Sequence, residues 1–170
     1  KYKSNGDTAW VRTYNGTGNF KDRATAIAVD NSGRVYVTGS SYGNGTGSDY
    51  ATIKYKTNGD TAWVRRYDGP ASGSDLAKAI AVDDSGFVYI TGYSYSSGTS
   101  DDYATIKYHP NGDTAWVRRY NGPGNSYDDA YAIALDSSGN VYVTGYSYGS
   151  GTSTDYATIK YEPNGDTAWV

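Results

Sequence analysis

Lys54–Tyr67 reads KYKTNGDTAWVRRY, and Lys107–Tyr120 reads KYHPNGDTAWVRRY. The same phrase opens the chain at Lys1 as KYKSNGDTAWVRTY and returns at Lys160 as KYEPNGDTAWV. Lys1, Lys54, Lys107 and Lys160 stand 53 residues apart, and no copy carries an insertion. The 170 residues are therefore a single array of copies 1–53, 54–106 and 107–159 with a partial copy 160–170. A period of about this length indicates units that cannot bury their own faces and must stack on neighbours.

Within the second copy four runs read as strands: TAWVRRY (Thr61–Tyr67), AIAVD (Ala79–Asp83), VYITG (Val88–Gly92) and DYATIKY (Asp102–Tyr108). Val, Ile, Thr, Tyr and Trp suit a pleated, half-buried surface. DSG gives a tight turn between the second and third runs. NGD closes a hairpin between the fourth run and the next copy's first, with Asn-Gly expected at positive φ. No run has helical period, DLAKAIAV included. In TAWVRRY, alternation puts Trp63, Arg65 and Tyr67 on one face and Ala62 and Val64 on the other. AIAV carries small and branched residues on both faces, as an innermost strand crowded from two sides requires. Four short antiparallel strands per repeat predict one propeller blade. The expected fold is all-β, about three blades per chain, with the ring incomplete because closed propellers need about four to eight.

The run DxAxAIAVDxSGxVYVTGxSY…DYATIKYxPNGDTAWVRRY resembles the bacterial β-propeller repeat known as the SBBP repeat. It is carried by Asp22–Tyr42 with Asp49–Tyr67, Asp75–Tyr95 with Asp102–Tyr120, and Asp128–Tyr148 with Asp155–Val170. The resemblance covers essentially the whole chain. It implies a propeller blade and an association with large bacterial surface or secreted proteins. It implies no particular activity, because the repeat is a structural module.

Composition narrows the function. Twenty tyrosines stand against two phenylalanines, and Tyr can bury its ring while its hydroxyl stays wet. Without a cysteine there are no disulfides, thiolate zinc sites or cysteine nucleophiles. The absence of Met, at position 1 included, marks a processed product or part of something longer. A formal charge of −3 speaks against nucleic acid, which needs clustered Lys and Arg. No apolar run has membrane-spanning length, so no membrane insertion is expected.

No catalytic constellation is present, and the chain reads as no enzyme, with no cofactor. His109 is the one histidine and lies in a hairpin turn where other copies have Lys56 or Glu162. Asp22, Asp75 and Asp128 precede the inner strand, and Asp30, Asp83 and Asp136 follow it. Their first reading is as acceptors for turn amides. The alternative is a ring of calcium ligands, for which Asp30, Asp83 and Asp136 are the candidates, although DNSG, DDSG and DSSG lack the spacing of an EF-hand loop. Tyr42, Tyr95 and Tyr148 adjoin Gly/Ser/Thr-rich loops and form a candidate contact surface for glycans or surface proteins.

The ends carry the sharpest expectation. Thr8, Trp10, Arg12 and Tyr14 form a whole outer strand with no blade of its own. Thr167 and Trp169 begin the same strand, and its RRY continuation is lacking. The expected partner is a second chain, in a ring or a filament, or the remainder of a longer array. The leading function is a non-enzymatic extracellular or cell-surface scaffold, adhesin or self-assembling subunit. The alternatives are a lectin-like propeller and an enzyme with its site at the propeller mouth.

Overall fold

In the computed structural model, which describes all 170 residues, the chain forms twelve strands and no helix. Strands β1 (Asp22–Val29), β2 (Val35–Gly43), β3 (Gly47–Tyr55) and β4 (Thr61–Tyr67) make one antiparallel sheet in that order. A second is built from β5 (Asp75–Val82), β6 (Val88–Ser96), β7 (Ser100–Tyr108) and β8 (Thr114–Tyr120). The third consists of β9 (Asp129–Leu135), β10 (Val141–Tyr148), β11 (Thr154–Tyr161) and β12 (Thr167–Trp169). No sheet closes on itself, and each is one blade. Strands β1, β5 and β9 are neighbours, so the AIAV strand is innermost and the TAWVRRY strand outermost.

Two local readings need correction. The stretch SYSSGTSDDY, expected as a loop, is mostly strand: β6 and β7 pair as far as Tyr95↔Asp101 and Ser96↔Ser100. In blade 1 the ladder likewise reaches Gly43↔Gly47. Backbone pairing continues past the last apolar side chain because a ladder bond needs only main-chain groups. In the NGD turn only glycine has positive φ, Gly59 at 90°. The turn is closed by Gly59 N–H to Lys56 O (2.9 Å) and Lys56 N–H to Asp60 O (2.8 Å). Asn58 holds it by side chain, with Oδ1 accepting from Asp60 N at 3.1 Å.

The core lies between blades. Tyr36, Tyr50 and Trp63 of blade 1 pack on Ala77, Val88, Ile90, Ala104, Ile106 and Tyr108 of blade 2. Their equivalents Tyr89, Tyr103 and Trp116 pack on the corresponding residues of blade 3. Each blade thus has a leading face of aromatics and a trailing face of small and aliphatic residues with one tyrosine, Tyr108 in blade 2 and Tyr161 in blade 3. The low average hydropathy of the sequence reflects how little apolar side chain these thin interfaces need.

Tyrosine hydroxyls are drier than their usual amphipathic role implies. Tyr50 and Tyr103 are 1% and 0% exposed. Their hydroxyls donate across the interface to Ala104 O (3.1 Å) and Ala157 O (3.3 Å). Burying such a polar group without a partner costs about 1–3 kcal/mol, an amount comparable with the gain from the ring, so the acceptor carbonyl is part of the packing.

Glycine makes room for it. A Cβ on Gly92 would lie 2.0 Å from Leu76 O and 2.9 Å from Tyr50 Oη. Gly92→Ala is expected to lower stability by about 3 kcal/mol, the upper end of the range for an overpacked core, because the clash is with backbone. Gly45→Ala, at φ +88° with open space around it, should lose only the left-handed strain of about 1–2 kcal/mol. Urea denaturation of both variants checks the order.

Candidate functional site

The outer edge of each blade is coupled to the next by one repeated set of contacts. Trp63 Nε1 donates to Pro110 O (3.1 Å), and Arg65 Nε donates to Gly112 O (2.7 Å). Trp116 and Arg118 do the same to Pro163 O (3.2 Å) and Gly165 O (2.6 Å). The acceptors belong to the next blade's NGD turn. Gly112 and Gly165 serve it twice: their φ is positive, and an added Cβ would lie 3.0 and 2.9 Å from the incoming Trp63 and Trp116 rings.

The second arginine works inside its own blade. Arg66 donates to Asp49 Oδ2 (2.7 Å), Ser41 Oγ (2.5 Å) and Ser41 O (2.8 Å). Arg119 repeats this on Asp102 and Ser94. In blade 3 no arginine reaches the equivalent Ser147, whose buried Oγ has no partner.

Residues 8–14 occupy the place of a preceding blade's outer strand. Trp10 Nε1 donates to Thr57 O (3.2 Å) and Arg12 Nε to Gly59 O (2.7 Å). Arg66 donates to Tyr14 Oη at 3.5 Å, as Arg119 does to Tyr67. Thr8 bridges only to Tyr2, and no neighbouring strand pairs with 8–14. Beneath this segment the trailing face of blade 1 is open, a cleft of about 600 Å³ lined by Ala24, Ile27, Val37, Gly39 and Ile53 among others. At the other end, Thr167 and Trp169 pair with Tyr161 and Lys160. Trp169 is 47% exposed and Tyr156 97% exposed on the leading face of blade 3. The two sets of end residues are therefore not brought together within one chain.

The aspartates that follow the inner strands are engaged in their turns. Asp30 Oδ1 accepts from Ser32 N and Arg34 N, and Oδ2 from Arg34 Nε and Tyr36 Oη. Asp83 and Asp136 accept from the equivalent amides and from Tyr89 and Tyr142. The hydrogen bond from Asn140 Nδ2 and those beside it hold the Asp136 carboxyl down at about 2. The carboxylates that do converge are Asp49, Asp68 and Asp75, with oxygens within 4.8 Å of one another. Arg66 supplies a positive charge inside that cluster, and the second blade has Asn121 where Asp68 stands.

Tyr42, Tyr95 and Tyr148 sit near the ends of β2, β6 and β10, each a little over one-third exposed. Tyr42 and Tyr95 are packed against neighbouring residues rather than standing free. Tyr42 meets Phe20 edge-on with centroids 5.0 Å apart, and a Cβ on Gly73 would lie within 2.8 Å of the Tyr95 ring.

One charged cluster breaks the repeat. At the β-bulge of blade 2, Lys78 pairs with Asp129 of blade 3 and lies 3.8 Å from the Tyr131 ring centroid. Asp101 completes the group. Burial, then the charges of Asp129, Asp102 and Asp75, push its carboxyl up to about 6, against the pull of Lys78. The other copies have Thr25 and Tyr131 at the place of Lys78, and Arg23 and Leu76 at that of Asp129. In the sequence only Asp101 of this group stands out, through a pair with Asp102 that the other copies lack; Lys78, Asp129 and Tyr131 do not. Their signal is divergence among copies within otherwise repeated flanks.

Comparison with known proteins fits the geometry. A family model described as a beta-propeller repeat, SBBP, matches residues 12–45, 63–98 and 115–151. A search of curated proteins finds no match.

The raised Asp101 carboxyl sets a pH dependence. The folded protein holds a proton that an unfolded aspartate releases near pH 4. This stabilisation is fully present below that pH and is lost as pH rises through about 6. Asp101→Asn should therefore raise stability at pH 7.5 more than at pH 4, read from urea midpoints. An equal change at both values would contradict the assignment.

Proposed function

The chain belongs to the SBBP beta-propeller repeat family, and from that premise we propose that it is a non-enzymatic structural and interaction protein. In this reading it is an extracellular or cell-surface bacterial scaffold that assembles through the open faces of its end blades. The family's association with bacterial surface and secreted proteins supports the location, and an acidic, cysteine-free, strand-rich composition is compatible with it.

The observation that carries the reading is Tyr156. Its counterparts Tyr50 and Tyr103 are wholly buried against the next blade, and Tyr156 is 97% exposed. Burying a ring of this size is worth about 2–3 kcal/mol. The trailing face of blade 1 offers the same small and aliphatic surface that receives Tyr50 and Tyr103 elsewhere. A ring or a filament satisfies both faces, and a contact that does not close propagates.

The absence of catalytic work is supported by how the polar residues are used. Arg34, Arg66 and Arg119 bond within their blades, Arg12, Arg65 and Arg118 bond to the next outer turn, and the Lys78–Asp129 pair lies between blades 2 and 3. The lectin-like alternative rests on Tyr42, Tyr95 and Tyr148, and the packing of Tyr42 on Phe20 and of Tyr95 beside Gly73 offers a sugar less flat surface than free-standing rings would.

Negative-stain electron microscopy of the chain at micromolar concentration should show rings or filaments of blades. Tyr156→Asp, which adds an unpaired charge to the leading face, should disperse them while leaving the circular dichroism spectrum unchanged. Dispersed three-blade particles from the unaltered chain would overturn the reading.

A further inference from the structure

Asp49, Asp68 and Asp75 each bring one carboxylate oxygen to within 4.8 Å of those of the other two. They come from three segments. Asp49 lies on β3 of blade 1, Asp75 opens β5 of blade 2, and Asp68 directly follows β4 in the connection between the blades. Asp49 and Asp75 are buried and Asp68 is exposed.

Two observations set this group apart from an ordinary acidic surface. The first is an orphaned oxygen. Asp49 Oδ2 accepts from Arg66 (2.7 Å) and Thr46 Oγ1 (2.8 Å). Its Oδ1 is buried with no partner, on a side chain only 4% exposed. A buried carboxylate oxygen without a donor is costly, and a cation in contact with it removes that cost. The second is a break in the repeat. Where the middle copy has Asp68 and Ser72, the others have Asn15 with Asn19 and Asn121 with Asn125. In both of those pairs the first amide donates to the second at 2.7 Å. The middle copy differs at both members, so the pairing is gone and no donor holds the Asp68 carboxylate.

We propose that Asp49, Asp68 and Asp75 bind one calcium ion at the junction of blades 1 and 2. Three carboxylates beside the Arg66 guanidinium leave two negative charges uncompensated, which one divalent cation neutralises. The donors are all oxygen, the choice of a hard cation. An ion about 2.4 Å from each oxygen spans the observed spacing, and that is a calcium distance rather than a magnesium one. Burial and then the charge of Asp49 raise the Asp68 carboxyl, and burial raises that of Asp75; an ion among them favours the ionised forms. Water reaches the site past the exposed Asp68 and completes the coordination shell. The ion ties blade 1, the connection and blade 2 at one point.

The next junction supplies an internal comparison. Asp102, Asn121 and Asp128 hold the equivalent places there, and Asp102 Oδ1 is orphaned in the same way. The repeat thus builds two carboxylates into each of these junctions, and only the first adds a third. The inference does not depend on how the chain assembles.

Equilibrium dialysis of the chelator-treated chain against calcium chloride should give one ion per chain. Three carboxylates with a guanidinium beside them place the dissociation constant at about 10⁻⁴–10⁻³ M. Calcium should raise the urea midpoint, because it binds only the folded chain. Asp68→Asn restores the residue of the other two copies and so keeps the fold; it should lose the ion and the calcium-dependent rise. Asn121→Asp with Asn125→Ser rebuilds the group between blades 2 and 3 and should bring the count to two. No calcium bound at millimolar concentration, or binding unchanged by Asp68→Asn, would overturn the site. A count still at one in the double variant would overturn the residue set, and equal uptake of magnesium would overturn the choice of ion.

Discussion

Trp63 and Arg65 leave their own sheet and bond to the carbonyls of Pro110 and Gly112 in the next blade's outer turn. A four-stranded sheet of this size cannot cover both of its faces, so blade-to-blade contact is the condition for folding at all. The tryptophan needs a turn with no side chain beneath it. The turn needs a residue that accepts positive φ. Glycine answers both demands at once, and this is why TAWVR and NGD are repeated so faithfully. They are two halves of one contact, separated by 47 residues along the chain.

Stability in such an array is a sum of nearly equal interfaces, and individual character enters only where the copies differ. The Lys78–Asp129 pair is the clearest instance. A buried ion pair adds little net stability, yet separating its partners leaves a costly unpaired charge. It therefore favours blade 2 beside blade 3 over any other neighbour. Thr25, in the same place on blade 1, spends its hydroxyl on Ala77 O at 2.6 Å, and Tyr131 presents a ring. The two interfaces, alike in shape, thus carry different chemical identities.

Much of this was legible in the sequence. The period gave three blades, and alternation in TAWVRRY put Trp63, Arg65 and Tyr67 on one face, where all three contact blade 2 or its residues. Residues 8–14 repeat the outer-strand phrase of Thr61–Tyr67, yet without a neighbouring strand they form no ladder beyond the Tyr2–Thr8 bridge. Other features were hidden for physical reasons. The hairpin stretches rich in Gly and Ser looked like loops because propensity reports side chains, and ladders there are held by the main chain. Tyrosine chemistry does not reveal that Tyr50 is dry, since its acceptor, Ala104 O, lies in another repeat. Asp101 is raised first by burial and then by Asp129, Asp102 and Asp75, and the burial and the approach of β5 and β9 are produced only by the fold.

The central claim is that the leading face of blade 3 and the trailing face of blade 1 are halves of one interface shared between copies. Sedimentation velocity across a wide concentration range tests it most directly. The account predicts a mass at a multiple of 18.3 kDa that falls on dilution, because two open faces must find each other. A single species of 18.3 kDa at every concentration would contradict it.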